Sequence, residues 1–348
     1  MLTNQRLTKK GKLVGNTAEI KKKKRKWPYI LGGVIAAIVI AAIIVVYAVG
    51  NYLVVYAIGR SGDGGERNVT LSNASTTEAE KKIQEGRMAQ NQRKRQFLES
   101  LKEEEVTVVS PDNLKLKGYY YGNDPGHKWV ILVHGYRSDH RGMLGSGQRY
   151  HDHGYQVLIP DLRGCGKSEG DYIGMGWLDK DDILKWVDWI NQRDSQAQIV
   201  IQGVSMGAAT TIMTAGEKTP DSVKAFVEDS GYTTVWDVFS TELKLRFKLP
   251  SFPVLDAASA IADNKAGYNF KEASALAQVK KADKPMMFIH GTADNFIPFY
   301  MEKELYDNKP GENKKLLVAE GAGHVESAYL LGDEYWKSVF SFVDTYVK

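Results

Sequence analysis

Apolar residues are spread along this 348-residue chain in four different ways. Residues 1–27 are polar and basic. From Trp27 to Gly59 no charged residue occurs, and 29–49 is an unbroken run of Ile, Val, Ala, Leu, Gly and Tyr. About 20 such residues cross a bilayer as a helix, and the run has no polar stripe that would make it a buried core helix. Trp27, Tyr29, Tyr47, Tyr52 and Tyr56 lie toward its ends, where interfacial aromatics belong. Residues 61–77 are rich in Gly, Ser, Asn and Thr and read as a flexible spacer. Residues 78–105 are highly charged helix formers with a few apolar positions (Ile83, Met88, Phe97, Leu98 and Leu101), which predicts an exposed helix or stalk.

Beyond residue 105 the pattern changes to short apolar runs alternating with amphipathic stretches. Residues 106–109 and 114–121 flank the turn sequence Ser110-Pro111-Asp112-Asn113 and predict a hairpin. Continuous apolar runs at 129–133, 156–159, 198–202, 225–227, 286–289 and 316–318 predict strands buried on both faces. Residues 177–190 place Ile183, Leu184, Val187 and Ile190 on one helical stripe. Strands alternating with helices predict a mostly parallel α/β sheet covered on both faces. The predicted organisation is a basic tail at 1–27, a transmembrane signal-anchor helix at 28–58, a linker and stalk at 59–105, and one domain at 106–348.

Charge changes this picture in one respect. The net charge is +4, but residues 1–27 carry ten Lys or Arg against one acidic residue, leaving 36 basic against 41 acidic residues in the remainder. The basic excess belongs to the tail, so nothing points to a nucleic-acid partner. Lys21 to Lys26 form an unbroken basic run before the apolar segment. Arg60 and Arg67 after it are offset by Asp63 and Glu66. The positive-inside rule predicts a single-pass protein of the cell membrane with a cytoplasmic N-terminus and everything after residue 59 extracellular. The apolar run exceeds a secretory h-region and no small-residue cleavage site is evident, so an uncleaved anchor is expected. Asn68-Val69-Thr70 and Asn73-Ala74-Ser75 are sequons. The single cysteine, Cys165, rules out an intramolecular disulfide.

The chemistry centres on Gly203-Val204-Ser205-Met206-Gly207, between an apolar strand and a small-residue run that reads as a helix. Strand, G-x-S-x-G and helix together signal a nucleophile elbow. A serine at the tip of so sharp a turn tolerates nothing bulky two residues away, which explains Gly203 and Gly207. The turn also puts the Met206 N–H at a helix N-terminus, suited to a developing oxyanion. The segment Gly164-Cys165-Gly166-Lys167-Ser168 looks like the end of a phosphate-binding loop, but Asp161 stands where that motif needs glycine, so no nucleotide is expected. His151 and His153, two apart on a helix, do not face one metal. His127 and His140 lie in polar stretches and read as surface residues, while His134 and His290 precede glycines and read as loop-shaping. No metal or organic cofactor is expected.

Taken in order, the motifs resemble those of the α/β-hydrolase superfamily over residues 106–348. His134-Gly135-Tyr136 is similar to its oxyanion loop, Gly203 to Gly207 to its elbow, His290-Gly291-Thr292-Ala293-Asp294 to its acid turn, and Gly321-Ala322-Gly323-His324 to its histidine loop. Gly267-Tyr268-Asn269-Phe270 and Glu272-Ala273-Ser274 resemble a subgroup of bacterial membrane-anchored or cell-surface serine hydrolases of lysophospholipase or esterase type. The resemblance implies Ser205 as nucleophile, His324 as base and Asp294 as the acid that orients it. Asp229, at the end of the preceding strand, is the alternative acid. The implied oxyanion donors are the backbone N–H groups of Tyr136 and Met206. The long apolar insert between strands 6 and 7, at about 231–284, fits a helical cap. Ester cleavage is the activity expected first, on a small-molecule or lipid ester, with no obligate protein partner implied. Peptidase action and a non-catalytic surface protein with a retained fold are the alternatives.

Overall fold

The structure is a computed structural model that describes residues 26–62, 77–122 and 126–348. Most of the basic tail and both sequons lie outside these residues. The chain divides into two units, residues 1–45 and 46–348.

Helix α1, Trp27–Ile58, crosses that division. In the first unit its side chains are exposed and apolar, including Ile35, Ile38, Ile40 and Ile43. By length and composition the helix can cross a membrane. In the second unit its last thirteen residues behave differently: Leu53, Val54 and Ile58 join the main hydrophobic core. The following strand-like contact pairs Gly59 with Tyr172, and the Ile173 N–H donates to the Ile58 carbonyl at 2.8 Å. The Arg60 guanidinium donates to the carbonyls of Gly166 at 2.9 Å and Ser168. The segment just after α1 is thus bound to the second unit.

Helix α2, Glu78–Ser100, starts with a capping box formed by Thr77 and Glu80. It differs from the exposed stalk expected from its charge. Ile83 and Phe97 are buried, and Phe97 packs on Tyr121 with ring centres 4.8 Å apart. The helix has few apolar residues: Ile83 and Phe97 are covered, while Met88 and Leu98 stay exposed.

The sheet follows. Strands β1 (Glu104–Val109) and β2 (Lys115–Tyr121) form the hairpin. Then come β3 (Lys128–Val133), α3 (Leu144–Asp152), β4 (Gln156–Pro160), α4 (Asp179–Arg193), β5 (Gln198–Val204), α5 (Met206–Ala215) and β6 (Val223–Asp229). The insert holds α6 (Val235–Glu242), a π-helical turn Leu243–Phe247, α7 (Val254–Ala266) and α8 (Ala275–Val279). The chain closes with β7 (Met286–Gly291), α9 (Phe299–Asn308), β8 (Lys314–Ala319), α10 (Ser327–Leu331) and α11 (Asp333–Val343). Strand order is β1-β2-β4-β3-β5-β6-β7-β8, antiparallel at β1 and β2 and parallel from β4 onward. A mostly parallel sheet with helices on both faces is the α/β-hydrolase architecture expected from the motifs. Strand side chains alternate between two cores. Ile131, Ile199 and Phe288 face the core with α4 and α5, and Val130, Val200 and Ile289 face the one with α3 and α11. The consequence for function is that β3, β5, β6 and β7 end side by side, so the loops after them converge.

Candidate active site

The turn after β5 has the strained geometry its sequence implies. Ser205 has φ 55° and ψ −119°, a region sparsely used by residues other than glycine. A side chain at position 203 would overlap the Gly207 carbonyl, and one at 207 would overlap the Val133 carbonyl. Both glycines are therefore required for α5 to start where it does. The Ser205 N–H donates to the Asp229 carbonyl at 2.9 Å, which ties the turn to β6.

Three side chains meet there. Ser205 Oγ lies 2.8 Å from His324 Nε2, and His324 Nδ1 lies 2.7 Å from Asp294 Oδ2. A carboxylate can only accept, so the Nδ1–H donates to Asp294, and Nε2 is left to accept from the serine hydroxyl. Asp294 is buried, and burial by itself raises a carboxyl pKa. Hydrogen bonds from His290 and His324, with those from the backbone, outweigh it and hold Asp294 well below the usual carboxylate range. The backbone donors are the N–H groups of Phe296 and Ile297, at 2.8 and 2.9 Å. Asp229 is not joined to this chain: its carboxylate accepts from Ser230 at 2.9 Å and Tyr335 at 3.0 Å.

Gly135 is packed against the serine, where a Cβ would come 3.4 Å from Ser205 Cβ. Its missing side chain keeps that flank open, and the next residue, Tyr136, lines the same cleft as Met206. His134 shapes the loop, as expected. Its Nε2 accepts from the Leu162 N–H at 3.0 Å, so its Nδ1–H donates to the Gly135 carbonyl at 2.8 Å.

Other sequence expectations need correction or extension. His140 is buried, not a surface residue. It stacks on Tyr119 at 3.5 Å and its Nδ1 lies 2.9 Å from Asp161. The same aspartate accepts from the Lys167 N–H at 2.8 Å, so the loop that imitates a phosphate-binding motif is wound around its own carboxylate. Cys165 is buried, and burial, reinforced by Asp179, pushes its thiol up to about 12. His151 and His153 bond separately, to the Gly122 carbonyl and to Asp344.

Sequence reasoning missed one buried polar cluster behind Asp294. His290 Nε2 donates to the Ile297 carbonyl at 2.8 Å and lies 3.2 Å from Asp294 Oδ2. Its Nδ1 lies 3.4 Å from Glu302 Oε2. Glu302 and Glu228 are both fully buried. Each leaves one oxygen without a partner, and the two carboxyls are within hydrogen-bonding reach. Burial, first, and mutual repulsion push Glu228 well above the usual carboxyl range, and burial pushes Glu302 up to about 8. Glycine after His290 was the only local sign, and it spoke of loop geometry and not of a carboxyl pair.

The serine opens on a cleft of about 810 Å³, its open mouth included. Apart from Ser205 and a Glu242–Arg246 ion pair its walls are mainly apolar, supplied by the insert and by the end of α1.

Residues 145–348 match the sequence profile of Peptidase_S9, the prolyl oligopeptidase family. The uncharacterized protein YqkD of Bacillus subtilis is 30% identical over 247 residues, which cover 71% of this chain and 81% of YqkD. The lysophosphatidylserine lipase ABHD12 of Danio rerio is 28% identical over 201 residues, 52% of this chain and 47% of that protein. Among solved structures, the Pyrococcus furiosus esterase Pf2001 is 25% identical, with a TM-score of 0.60, over 72% of this chain and 94% of the esterase. With more than half of its length inside the profile and the eight-stranded sheet to match, this chain belongs to the prolyl oligopeptidase family and is an α/β-hydrolase of esterase or peptidase type.

Proposed function

We propose that the protein is a membrane-anchored serine hydrolase that cleaves carboxylic acyl esters, with its hydrolase domain outside the cell. The observation that carries this reading is the hydrogen-bonded series Asp294–His324–Ser205 opening on an apolar cleft. Ser205 Oγ attacks the acyl carbonyl while His324 Nε2 takes its proton. Asp294 holds the imidazole by Nδ1–H and stabilises the imidazolium. The tetrahedral oxyanion is held by the N–H groups of Tyr136 and Met206. Collapse expels the alcohol, which takes the proton from His324, and leaves an acyl-enzyme. Water, deprotonated by His324, then attacks the acyl carbonyl. The second collapse releases the acid and returns the proton to Ser205. Apolar walls beside the nucleophile suit an acyl chain, and the similarity to an esterase and to a lysophospholipid lipase agrees with that choice.

A second reading, amide cleavage, draws on the peptidase family to which the chain belongs. The two are tested on the full-length protein in detergent. A fluorophosphonate probe is expected to label the wild type and not Ser205→Ala. Acyl p-nitrophenyl esters are expected to turn over much faster than aminoacyl p-nitroanilides. Faster turnover of the anilides would replace the ester reading by the peptidase one. No labelling of folded wild type would leave a surface protein with a retained fold.

A further inference from the structure

The end of the anchor helix enters the cleft that holds the nucleophile. Leu53, Tyr56 and Ala57 line it together with Ser205. They face Leu243 and Phe247 of the cap, and the rings of Tyr56 and Phe247 meet edge to face at 5.7 Å. Close approach is possible because residue 50 is glycine: a Cβ there would lie 3.1 Å from the Ala258 nitrogen of α7. The wall is also fixed in place. The last carbonyls of a helix lack intrahelical donors, and here they receive them from the loop beside Ser205. Arg137 Nη2 donates to the carbonyls of Tyr56 and Gly59, both at 3.0 Å, and the Tyr136 hydroxyl donates to that of Ala57. A cationic side chain at a helix C-terminus is favourable as well. The residues that hold the helix end are therefore those of the loop to which the oxyanion was assigned.

We propose that residues 46–58 of the anchor helix form a wall of the acyl-binding pocket, and that Leu53 and Ala57 set the length of acyl chain the enzyme accepts. This rests on the ester-hydrolase reading given above. The helix thus has two duties: upstream it is apolar on all sides, and over its last turns one face belongs to the substrate site. The occupant is a linear aliphatic chain, because the lining near Ser205 is aliphatic and aromatic, and its one charged pair, Glu242 with Arg246, is already joined.

The test uses full-length protein in detergent and p-nitrophenyl esters from butyryl to hexadecanoyl. Each methylene that finds apolar cover improves kcat/KM by about fourfold. Ala57→Phe fills the space that several methylenes would occupy, so the dodecanoyl-to-butyryl ratio of kcat/KM is expected to fall by about thirtyfold or more. Leu53→Ala opens the wall and is expected to move the optimum to longer chains. Val55→Phe, in the same turns but outside the cleft lining, is expected to leave the ratio unchanged. Labelling of Ser205 by a short-chain alkyl fluorophosphonate reports separately on the active serine. Wild type that does not label overturns the ester-hydrolase reading itself. Labelled variants with an unchanged chain-length profile overturn the wall alone. If Ala57→Phe loses the label through misfolding, Leu53→Ala decides: an unmoved optimum overturns the proposal, and a longer one upholds it.

Discussion

Ser205, His324 and Asp294 illustrate two degrees of legibility in one site. The serine could be read from its neighbours, because a strained turn has a local steric demand that only Gly203 and Gly207 meet. The other two came from resemblance, since nothing near either residue records that a loop 119 residues away will bring His324 to Ser205. Of the two candidate acids, the carboxylate that His324 reaches is Asp294, which is the ground for proposing it over Asp229. Asp294→Asn is expected to lower kcat by a factor on the order of 10⁴, through loss of the correct tautomer. Asp229→Asn keeps a group that can still accept from Ser230 and Tyr335, and most of the rate should survive. Ester turnover by the two variants checks this, and the opposite ranking would reassign the acid. The carboxyl pair behind Asp294 had no signal at all, because Glu228 and Glu302 are 74 residues apart and each alone reads as a solvated glutamate. It makes a pH prediction. Folded Glu302 keeps its proton up to about 8, whereas in the unfolded chain it is lost near 4.5. Between those values the native state binds more protons, so this group makes stability fall as pH rises. Glu302→Gln has no proton to lose. Its Tm is expected to decline less than that of wild type between pH 5 and 8, and parallel curves would mean the proton is not held there.

Elements were legible where pattern and burial coincide, and misread where charge obscured them. The strands buried on both faces stood out as apolar runs, because such a sheet admits no polar alternation. Helix α2 was misread because its mean character is polar, while its packing depends on a few positions. Phe97 is 1% exposed. Gly86 lies so close to α10 that a Cβ would overlap the Tyr329 carbonyl, and Arg87 reaches Glu326 at 2.7 Å. Glu326 in turn accepts from the Gly323 N–H at 2.9 Å, next to His324. The helix therefore braces the histidine loop. Phe97→Ala removes a fully packed ring and is expected to cost about 3–5 kcal/mol, read as a lowered thermal midpoint. Limited proteolysis should cut Phe97→Ala within residues 78–100 and leave wild type intact there. Equal resistance would show that the helix is held by its ion pairs instead. A fragment that begins near residue 100 would lose this brace and the pocket wall together, which is why the full chain is the proper subject for activity.

For the whole molecule, composition alone separated a basic tail and apolar helix from a slightly acidic domain, and the proposed orientation rests on that asymmetry. Ten basic residues precede the apolar run, and across it the charge is nearly balanced. Placing the tail outside would carry those charges through the bilayer, which the positive-inside rule disfavours. The same helix shows why its second role was hidden: an apolar residue satisfies a bilayer and an acyl pocket equally, so Leu53 and Ala57 look no different in sequence from Ile38 and Ala42. The orientation is measurable because of Cys165, the chain's one thiol. It is buried with its pKa pushed up to about 12, so little thiolate exists at neutral pH and it is a quiet background for labelling. New cysteines can then report alone. Thr3→Cys lies in the tail, and Lys303→Cys replaces a side chain of α9 that is 64% exposed. A membrane-impermeant maleimide applied to intact cells is expected to label Lys303→Cys at once and Thr3→Cys only after the membrane is opened. The reverse pattern would put the hydrolase domain in the cytoplasm, and the acyl esters it meets would then be those of the inner leaflet or of the cell interior.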